Sequence, residues 1–302
     1  MSYLNDLTII IVTYRTNKEI LFNCIDSIDS NVKILIVENS SDNEFKSELE
    51  KKYSNISVIL ANKNLGYGAG NNLGFKNIKT RYGLVTNPDV VHQDDFFIQL
   101  KNYLKPDFEF SIIGPSYYND THHWPFGSFD NRNDPYLRKK DYDENSLKEV
   151  DWIVGCSILV DTKYVDKNDM FDENIFLYFE EVDLCKRIKS KNGKIFNSSI
   201  LKIKHLGHKG SAATDPEYSI ETEMFRNWHW MWSSFYYYKK HNNYLYALFK
   251  MSGKFIKSLM KTIIFSIFYN KVKQTAYFAR FYGLTCSFLG IKSFYRVKSL
   301  FK

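Results

Sequence analysis

Three acids stand within four positions of the stretch "NIFLYFEEVDLCKRI", Asn174 to Ile188: Glu180, Glu181 and Asp183. If a helix begins near Glu180, then Glu181, Leu184, Cys185 and Ile188 fall at i, i+3, i+4 and i+7 and share one stripe. Glu181 therefore heads an otherwise apolar, inward-facing row. A carboxyl placed there loses hydration and has its pKa raised, which suits a general base. Asp183 and Arg187 form an i, i+4 pair, predicted on the solvated side. Glu180 falls on the flank, about a quarter-turn from the stripe's centre. The helix dipole favours any acid in a first turn, so it accounts for the presence of Glu180 and Glu181 but not for their facing.

Other residues offer complementary chemistry. In "TNPDV" Asp89 lies just past an apolar run, where one carboxylate suits a hard cation bridging two phosphates; as an isolated residue it also reads as an N-cap or Asx-turn. His205 and His208 read either as further ligands of that cation or as ordinary satisfied imidazoles. Glu38 ends a second apolar run, as an acceptor for a base or ribose or as a surface acid. In "NLGYGAGNNLG", residues 64–74, the G-x-G-x-x-G spacing fails because the third position is Asn71, and no Lys-Ser/Thr pair follows to make a P-loop. The segment reads as a Gly-rich loop entering a helix, with its backbone near a nucleotide or sugar, or simply as a flexible turn.

The elements that must position these groups alternate. "LTIIIVTY", "VKILIVENS", "ISVILAN" and "YGLVTNPDV" are short continuous apolar runs, as for strands buried on both faces. A helix is predicted over 17–30 with Ile20, Leu21, Cys24 and Ile28 inward, and another after the glycines. This order implies a parallel, open α/β sheet, whose ligands bind outside the carboxyl ends of the strands. Polar residues collect at those ends: Thr13, Tyr14 and Arg15; Glu38, Asn39 and Ser40; Asn62; Asn87 and Asp89. Residues 115–150 read as a long functional loop, and "DWIVGCSILVD" returns to strand character.

Of 302 residues, 44% are hydrophobic, enough to bury a sizeable core. Four cysteines, widely spaced, fit a reducing compartment better than a disulfide framework. No signal peptide is read at the start, and no apolar run reaches the roughly 18 residues of a spanning helix. Charge is divided along the chain. Residues 1–223 carry 27 basic and all 34 acidic residues; from Arg226 onward there are 14 Lys and Arg and no acid. Ile256, Leu259, Met260, Ile263, Ile264 and Ile267 follow helical spacing, with Lys250, Lys254, Lys257 and Lys261 as a separate stripe. That is the pattern of a basic amphipathic helix on an anionic membrane, or of a helix packed on the body with its lysines in water.

Taken together, "IIIVTYR", "VENSSDN", "NLGYGAGNNLG", "TNPDV", "DWIVGCSILV", "FDENIFLYFEEVDLCKRI", "KHLGHKGS" and "EMFRNWHWMWSSFYYYKKH" resemble the inverting glycosyltransferases of family 2, over about residues 7–240. Within that family the chain looks most like bacterial rhamnosyltransferases that build O-antigen or other surface polysaccharide. The resemblance implies the GT-A fold, a Rossmann-like, mostly parallel open sheet flanked by helices. It implies a catalytic domain over 1–225, with a nucleotide-binding half to about 114 and an acceptor-binding half beyond it, and a basic helical extension over 226–302. It implies that Thr13, Tyr14 and Arg15 line the nucleotide pocket with Asn62 and Gly66 to Gly70, that Glu38 contacts the base, and that Arg226 helps hold the diphosphate. Asp89 matches the last acid of the family's metal-binding D-x-D, with Asn87 in place of the first; His205 or His208 would join a Mg²⁺ or Mn²⁺. Glu180 and Glu181 match the family's "ED" pair, Glu181 being the base and one methylene longer than the usual Asp. Trp152 would wall the acceptor site.

The implied reaction moves a sugar from a nucleoside diphosphate, dTDP-rhamnose or a UDP-sugar, to a glycan or lipid-linked acceptor. The implied location is cytoplasmic, peripheral on the inner face of the cell membrane, with no nucleic-acid partner. Two alternatives are a nucleotidyltransferase making activated sugars and a non-enzymatic membrane or nucleic-acid adaptor using the basic tail. The first would favour a basic Gly-rich loop after the first strand, where this chain has "TYRTNKEI".

Overall fold

The computed structural model describes residues 2–117, 126–127, 147–207 and 220–296. Two compact units divide the chain. The first takes Met1–Asp172 and Glu181–Ser211, and the second Glu173–Glu180 and Ala212–Lys302.

The strands of the first unit are β1 (Leu7–Thr13), β2 (Lys33–Glu38), β3 (Ile56–Leu60), β4 (Tyr82–Thr86), β5 (Val90–His92), β6 (Ile112–Tyr117), β7 (Phe126–Gly127), β8 (Leu147–Glu149), β9 (Trp152–Ile153), β10 (Ser157–Asp161) and β11 (Ile195–His205). Its helices are α1 (Lys18–Asp26), α2 (Asn43–Lys52), α3 (Tyr67–Asn77), α4 (Phe96–Leu100) and α5 (Glu180–Ser190), whose first residue falls to the second unit. Nine strands make one sheet in the order β3-β2-β1-β4-β10-β6-β11-β5, with β8 on β11; β7 and β9 form a separate pair.

The four apolar runs form β1 to β4, joined in parallel through helical crossovers. Successive side chains of β1 point to opposite faces, so Ile9 and Ile11 enter one core cluster and Ile10 the other. The later strands mix directions. β10 runs antiparallel to β4 and β6, β11 is parallel to β6, and β5 and β8 pair antiparallel with β11. "DWIVGCSILVD" is not one strand but two, β9 and β10, with residues 154–156 between them. β1 has β2 on one side and β4 on the other, so chain order reverses there, and the crevice beyond their carboxyl ends is where open α/β sheets take ligands.

The helices follow local chemistry. The Asn17 side chain caps α1 by accepting from the Glu19 and Ile20 amides. α1 stops at Asp26, short of the expected residue 30, yet Ile28 still packs into the core. α2 escapes the hydrophobic pattern because only Phe45 and Leu49 of its charged run are buried; Asp42 caps it. Gly66, at φ 82°, lets the chain turn into α3. Gly70 and Gly74 then bring α3 against β1. A Cβ on Gly70 would lie 2.8 Å from a methyl of Val12, and one on Gly74 would overlap Ile10.

In the second unit α6 (Ile220–His241), α7 (Tyr244–Ile267) and α8 (Lys271–Phe288) pack together. The boundary expected at 225/226 falls inside α6. The aromatic run of α6 is mostly core: Trp228, Trp232 and Phe235 are buried. No helix among the described residues is long and apolar enough to cross a membrane.

Gly74→Ala should destabilise the protein by about 1–3 kcal/mol, because the added methyl meets a β-branched side chain on a strand that cannot retreat. A lowered urea midpoint at unchanged slope would register this; an unchanged midpoint would mean α3 stands off β1.

Candidate active site

At the end of β1, Thr13 donates its hydroxyl to the Glu38 carboxylate. The other Glu38 oxygen accepts from the Ser40 amide at 2.6 Å and from the Ser40 hydroxyl. Glu38 is thus buried and engaged within the strand ends. One of its oxygens ties β1 to β2, because parallel register sets Thr13 directly beside Glu38, and the other braces Ser40 two residues on. Three non-glycine residues just past the first three strands adopt left-handed backbone: Arg15 (φ 47°), Ser41 (φ 60°) and Asn62 (φ 59°). Such turns are disfavoured for ordinary side chains and gather at functional sites. Arg15 and Asn62 are exposed there, and the Arg15 guanidinium lies 5.6 Å from the half-buried Tyr14 ring centroid.

Past β4, the Asn87 amide donates to the Cys156 carbonyl at 2.8 Å, which locks "TNPDV" to the head of β10. Asp89 is buried, and its carbonyl accepts from the Leu206 amide at 2.9 Å. Its carboxylate lies 3.3 Å from His205 Nε2. The His205 ring stacks on Tyr117, with centroids 6.2 Å apart at 11°, and the Tyr117 hydroxyl meets Cys156 Sγ at 3.3 Å.

An oxygen and a nitrogen donor therefore converge. No group of three potential ligands exists among the described residues, and His208 lies outside them. Such a pair fits a Mg²⁺ or Mn²⁺ arriving with a diphosphate, since these ions are commonly held by one or two protein groups plus substrate phosphates. It does not form an all-protein cage.

α5 carries the acids. Leu184, Cys185 and Ile188 are buried, as the periodicity required. Glu181 sits at the head of that row against the backbone of Gly155, where a Cβ would lie 3.3–3.5 Å from the Glu181 side-chain carbons. Although Glu181 keeps part of its accessible surface, its carboxyl is surrounded by protein, and desolvation pushes its pKa up to about 7. Hydrogen bonds from the amides of Glu181 and Val182 at the helix start pull the other way. Cys156 feels both acids: burial pushes its thiol up to about 12, with Asp89 and Glu181 adding their fields. It is an inert wall of the site.

Asp183 corrects the sequence reading. It is paired with Arg187 at 2.9 Å, but it is fully buried rather than solvated, because Arg187 also donates to the carbonyls of Asp169 and Met170 and draws that segment over it. Glu180 is buried in the second unit. Just before it, Tyr178 (φ 67°) and Phe179 (φ 71°) are consecutive left-handed residues whose rings pack on Trp230. Nothing in their residue types announces that turn.

The remaining expected residues are dispersed. Gly66 begins α3, whereas Gly70 packs that helix on β1. Trp152 is half-buried in β9. Arg226 belongs to the second unit, where its charge opposes the burial that raises Tyr178 to about 12. Most of the 115–150 loop lies outside the described residues. The sequence assigns no individual role to Gly155, to Tyr117 or to Tyr67, whose hydroxyl donates to the Gly155 carbonyl. Only the glycine preceding β10 offered a signal.

The sequence model of the family described as "Glycosyl transferase family 2" matches residues 8–163, just over half the chain. The low-salt glycan biosynthesis hexosyltransferase Agl10 of Haloferax volcanii is 26% identical over 235 residues, 74% of each chain. Among solved structures, GalNAc-T7 with UDP, GalNAc and Mn²⁺ superposes with a TM-score of 0.56 at 10% identity, over 82% of this chain and 56% of that one. This chain thus spans little more than half of that structure, and the likeness shows a shared fold.

Ionising Glu181 is unfavourable in the folded protein, so stability is lost as pH rises from the ordinary carboxyl range near 4.5 through about 7. Glu181→Gln removes that penalty. The variant should gain about 1–3 kcal/mol over the parent at pH 8 and much less at pH 5. Calorimetric melts at both pH values would read the difference, and an equal shift at both would place the carboxyl in water.

Proposed function

Because the chain belongs to glycosyl transferase family 2, we propose that it catalyses an inverting transfer in which Glu181 is the general base. It is a glycosyltransferase with a GT-A-like fold, and a nucleotide sugar is its donor class. The observation that carries the assignment of Glu181 is its carboxyl, held against Gly155 at the head of α5 with a pKa near 7. A base whose pKa is raised toward neutral by desolvation is well matched to accepting a proton there.

Glu181 takes the proton of an acceptor hydroxyl as that oxygen attacks the anomeric carbon from the face opposite the diphosphate. The bond from the anomeric carbon to the diphosphate oxygen breaks, its electron pair leaves with the nucleoside diphosphate, and the configuration inverts. Asp89 and His205 would hold a Mg²⁺ or Mn²⁺ supplying positive charge to the leaving diphosphate. Arg226 is assigned to the same diphosphate, which its guanidinium suits. Thr13, Tyr14, Arg15, Asn62 and Gly66 border the nucleotide. Glu38 acts from behind by fixing Thr13 and Ser40. Trp152 faces the acceptor.

The donor is a nucleoside-diphosphate hexose. Rhamnose on dTDP follows from the sequence resemblance. A UDP-sugar is supported by the ligands named for the structural neighbour. The acceptor is a glycan carried on lipid at the inner face of a membrane, within cell-surface polysaccharide synthesis. A glycan pathway is named for the relative as well, and the four free, buried cysteines are in keeping with a reducing compartment.

The test is a screen of nucleoside-diphosphate sugars by diphosphate release, with and without Mn²⁺. One donor should stand out. Glu181→Gln should lower its turnover by about 10²–10⁴-fold while donor affinity stays within a few-fold, and the parent rate should climb with pH through about 7. Asp89→Asn should weaken donor binding only when metal is present. Turnover in Glu181→Gln close to the parent's would remove Glu181 as base, and metal-independent loss in Asp89→Asn would make Asp89 structural.

A further inference from the structure

Helix α7 has two apolar faces, and the bundle uses only one. Ala247, Met251 and Ser258 are buried, and Phe255 lies beside Phe281 and Phe288 of α8, with ring centroids 4.9 and 5.1 Å apart. About half a turn around the helix, Leu245, Phe249, Ile256, Met260, Ile263 and Ile267 form a second row at spacings of four, seven, four, three and four. These six side chains are 53% to 82% exposed. Gly253 lies on the same side, and a Cβ there would meet nothing within 4 Å. The row ends at Phe268 and Tyr269, themselves almost wholly exposed, in a turn that Tyr269 makes at φ 52°. Single exposed hydrophobics need no explanation, but a continuous row along a 24-residue helix, about 36 Å, does.

Charge identifies what covers it. Lys250, Lys254, Lys257 and Lys261 lie along one flank of the row, and the sequence after Glu223 holds no acid. The pKa of Lys254 is lowered, by desolvation first and then by Lys250 and Arg280. A second copy of this helix paired antiparallel through that row would bring the same lysines against these and be repelled. Lipid phosphates complement them. A spanning arrangement is excluded by α7's hydropathy, whereas an amphipathic helix with lysines beside its apolar face is suited to lie in the plane of a headgroup layer.

We propose that α7 is an in-plane membrane anchor: its outward row enters the headgroup boundary of an anionic bilayer while its lysine flank meets lipid phosphates. The proposal rests on the reading of a lipid-borne acceptor and adds the surface by which the enzyme reaches it. Tethering raises the enzyme's concentration at that acceptor without any new contact at the active site.

Flotation of the full chain with vesicles of equal parts phosphatidylcholine and phosphatidylglycerol, in the absence of donor, tests this. The parent should float, and binding should fall as salt rises. Combining Ile256→Ser, Met260→Ser and Ile263→Ser should weaken binding by about tenfold or more. These positions are exposed, so an unchanged circular dichroism spectrum should accompany the loss. Combining Lys250→Gln with Lys257→Gln should weaken binding to the anionic vesicles and not to phosphatidylcholine alone. Unchanged flotation of the serine variant overturns the proposal. So does a parent dimer that the serine variant turns into a monomer in sedimentation velocity while vesicle binding persists. Donor turnover should be unaltered in both variants, and a parent that floats but turns over no donor would uphold the anchor while sinking the transferase mechanism.

Discussion

A carboxyl group has its pKa lifted toward neutral when it loses most of its water without gaining a fixed positive partner. Glu181 meets that condition against the bare backbone of Gly155. Both sides of the contact are prepared elsewhere. Gly155 precedes β10, and its carbonyl is held by the Tyr67 hydroxyl from the first turn of α3. Glu181 opens α5, whose apolar row is sunk in the same core cluster as the strands. A methyl at position 155 would crowd the Glu181 Cβ at 3.3 Å and lie in van der Waals contact with its carboxyl carbon at 3.5 Å. The sheet therefore reaches the Glu181 carboxyl through one glycine, and the helix through one turn.

That turn is strained. Tyr178 and Phe179 both sit in left-handed backbone, at a cost on the order of 1–3 kcal/mol each. Trp230 packs on both rings and holds the conformation. The strand ends use the same device, with Arg15, Ser41 and Asn62 turning the chain after β1, β2 and β3. The buried Glu38, braced by Thr13 and Ser40, stiffens the platform from which the first two of these turns leave. Strain gathers where backbone must present polar groups beyond a sheet, and the buried hydrogen bonds beside it hold that backbone in place.

What the sequence disclosed follows from which forces are local. β1 to β4 were legible because fully buried strands are continuous apolar runs, and the inward facing of Glu181 was legible because helical period is local geometry. α2 was not, since two apolar residues in a charged run give no period. The burial of Asp183 was hidden because the cover is drawn over it by Arg187 reaching carbonyls of residues 169 and 170. The inward turn of Glu38 was hidden because it depends on the register that sets Thr13 beside it. Likewise the spacing of α7 showed an amphipathic helix but could not tell which of its apolar faces the bundle would leave open.

The division of charge bears on the role proposed for α7. Residues 1–223, with 27 basic against 34 acidic residues, are pushed from an anionic surface, while the 14 cations from Arg226 onward are drawn to it. Electrostatics at physiological salt reaches only about 8 Å, so attraction by itself gives a loose and shifting association. The apolar row adds a short-range term that acts once the helix touches lipid, and because it follows one line along α7 it fixes how that helix lies. Repulsion of the acidic residues opposes any other part of the chain taking the helix's place. Attraction, insertion and repulsion thus favour the same contact, the first two interleaved along α7 and the third spread over residues 1–223.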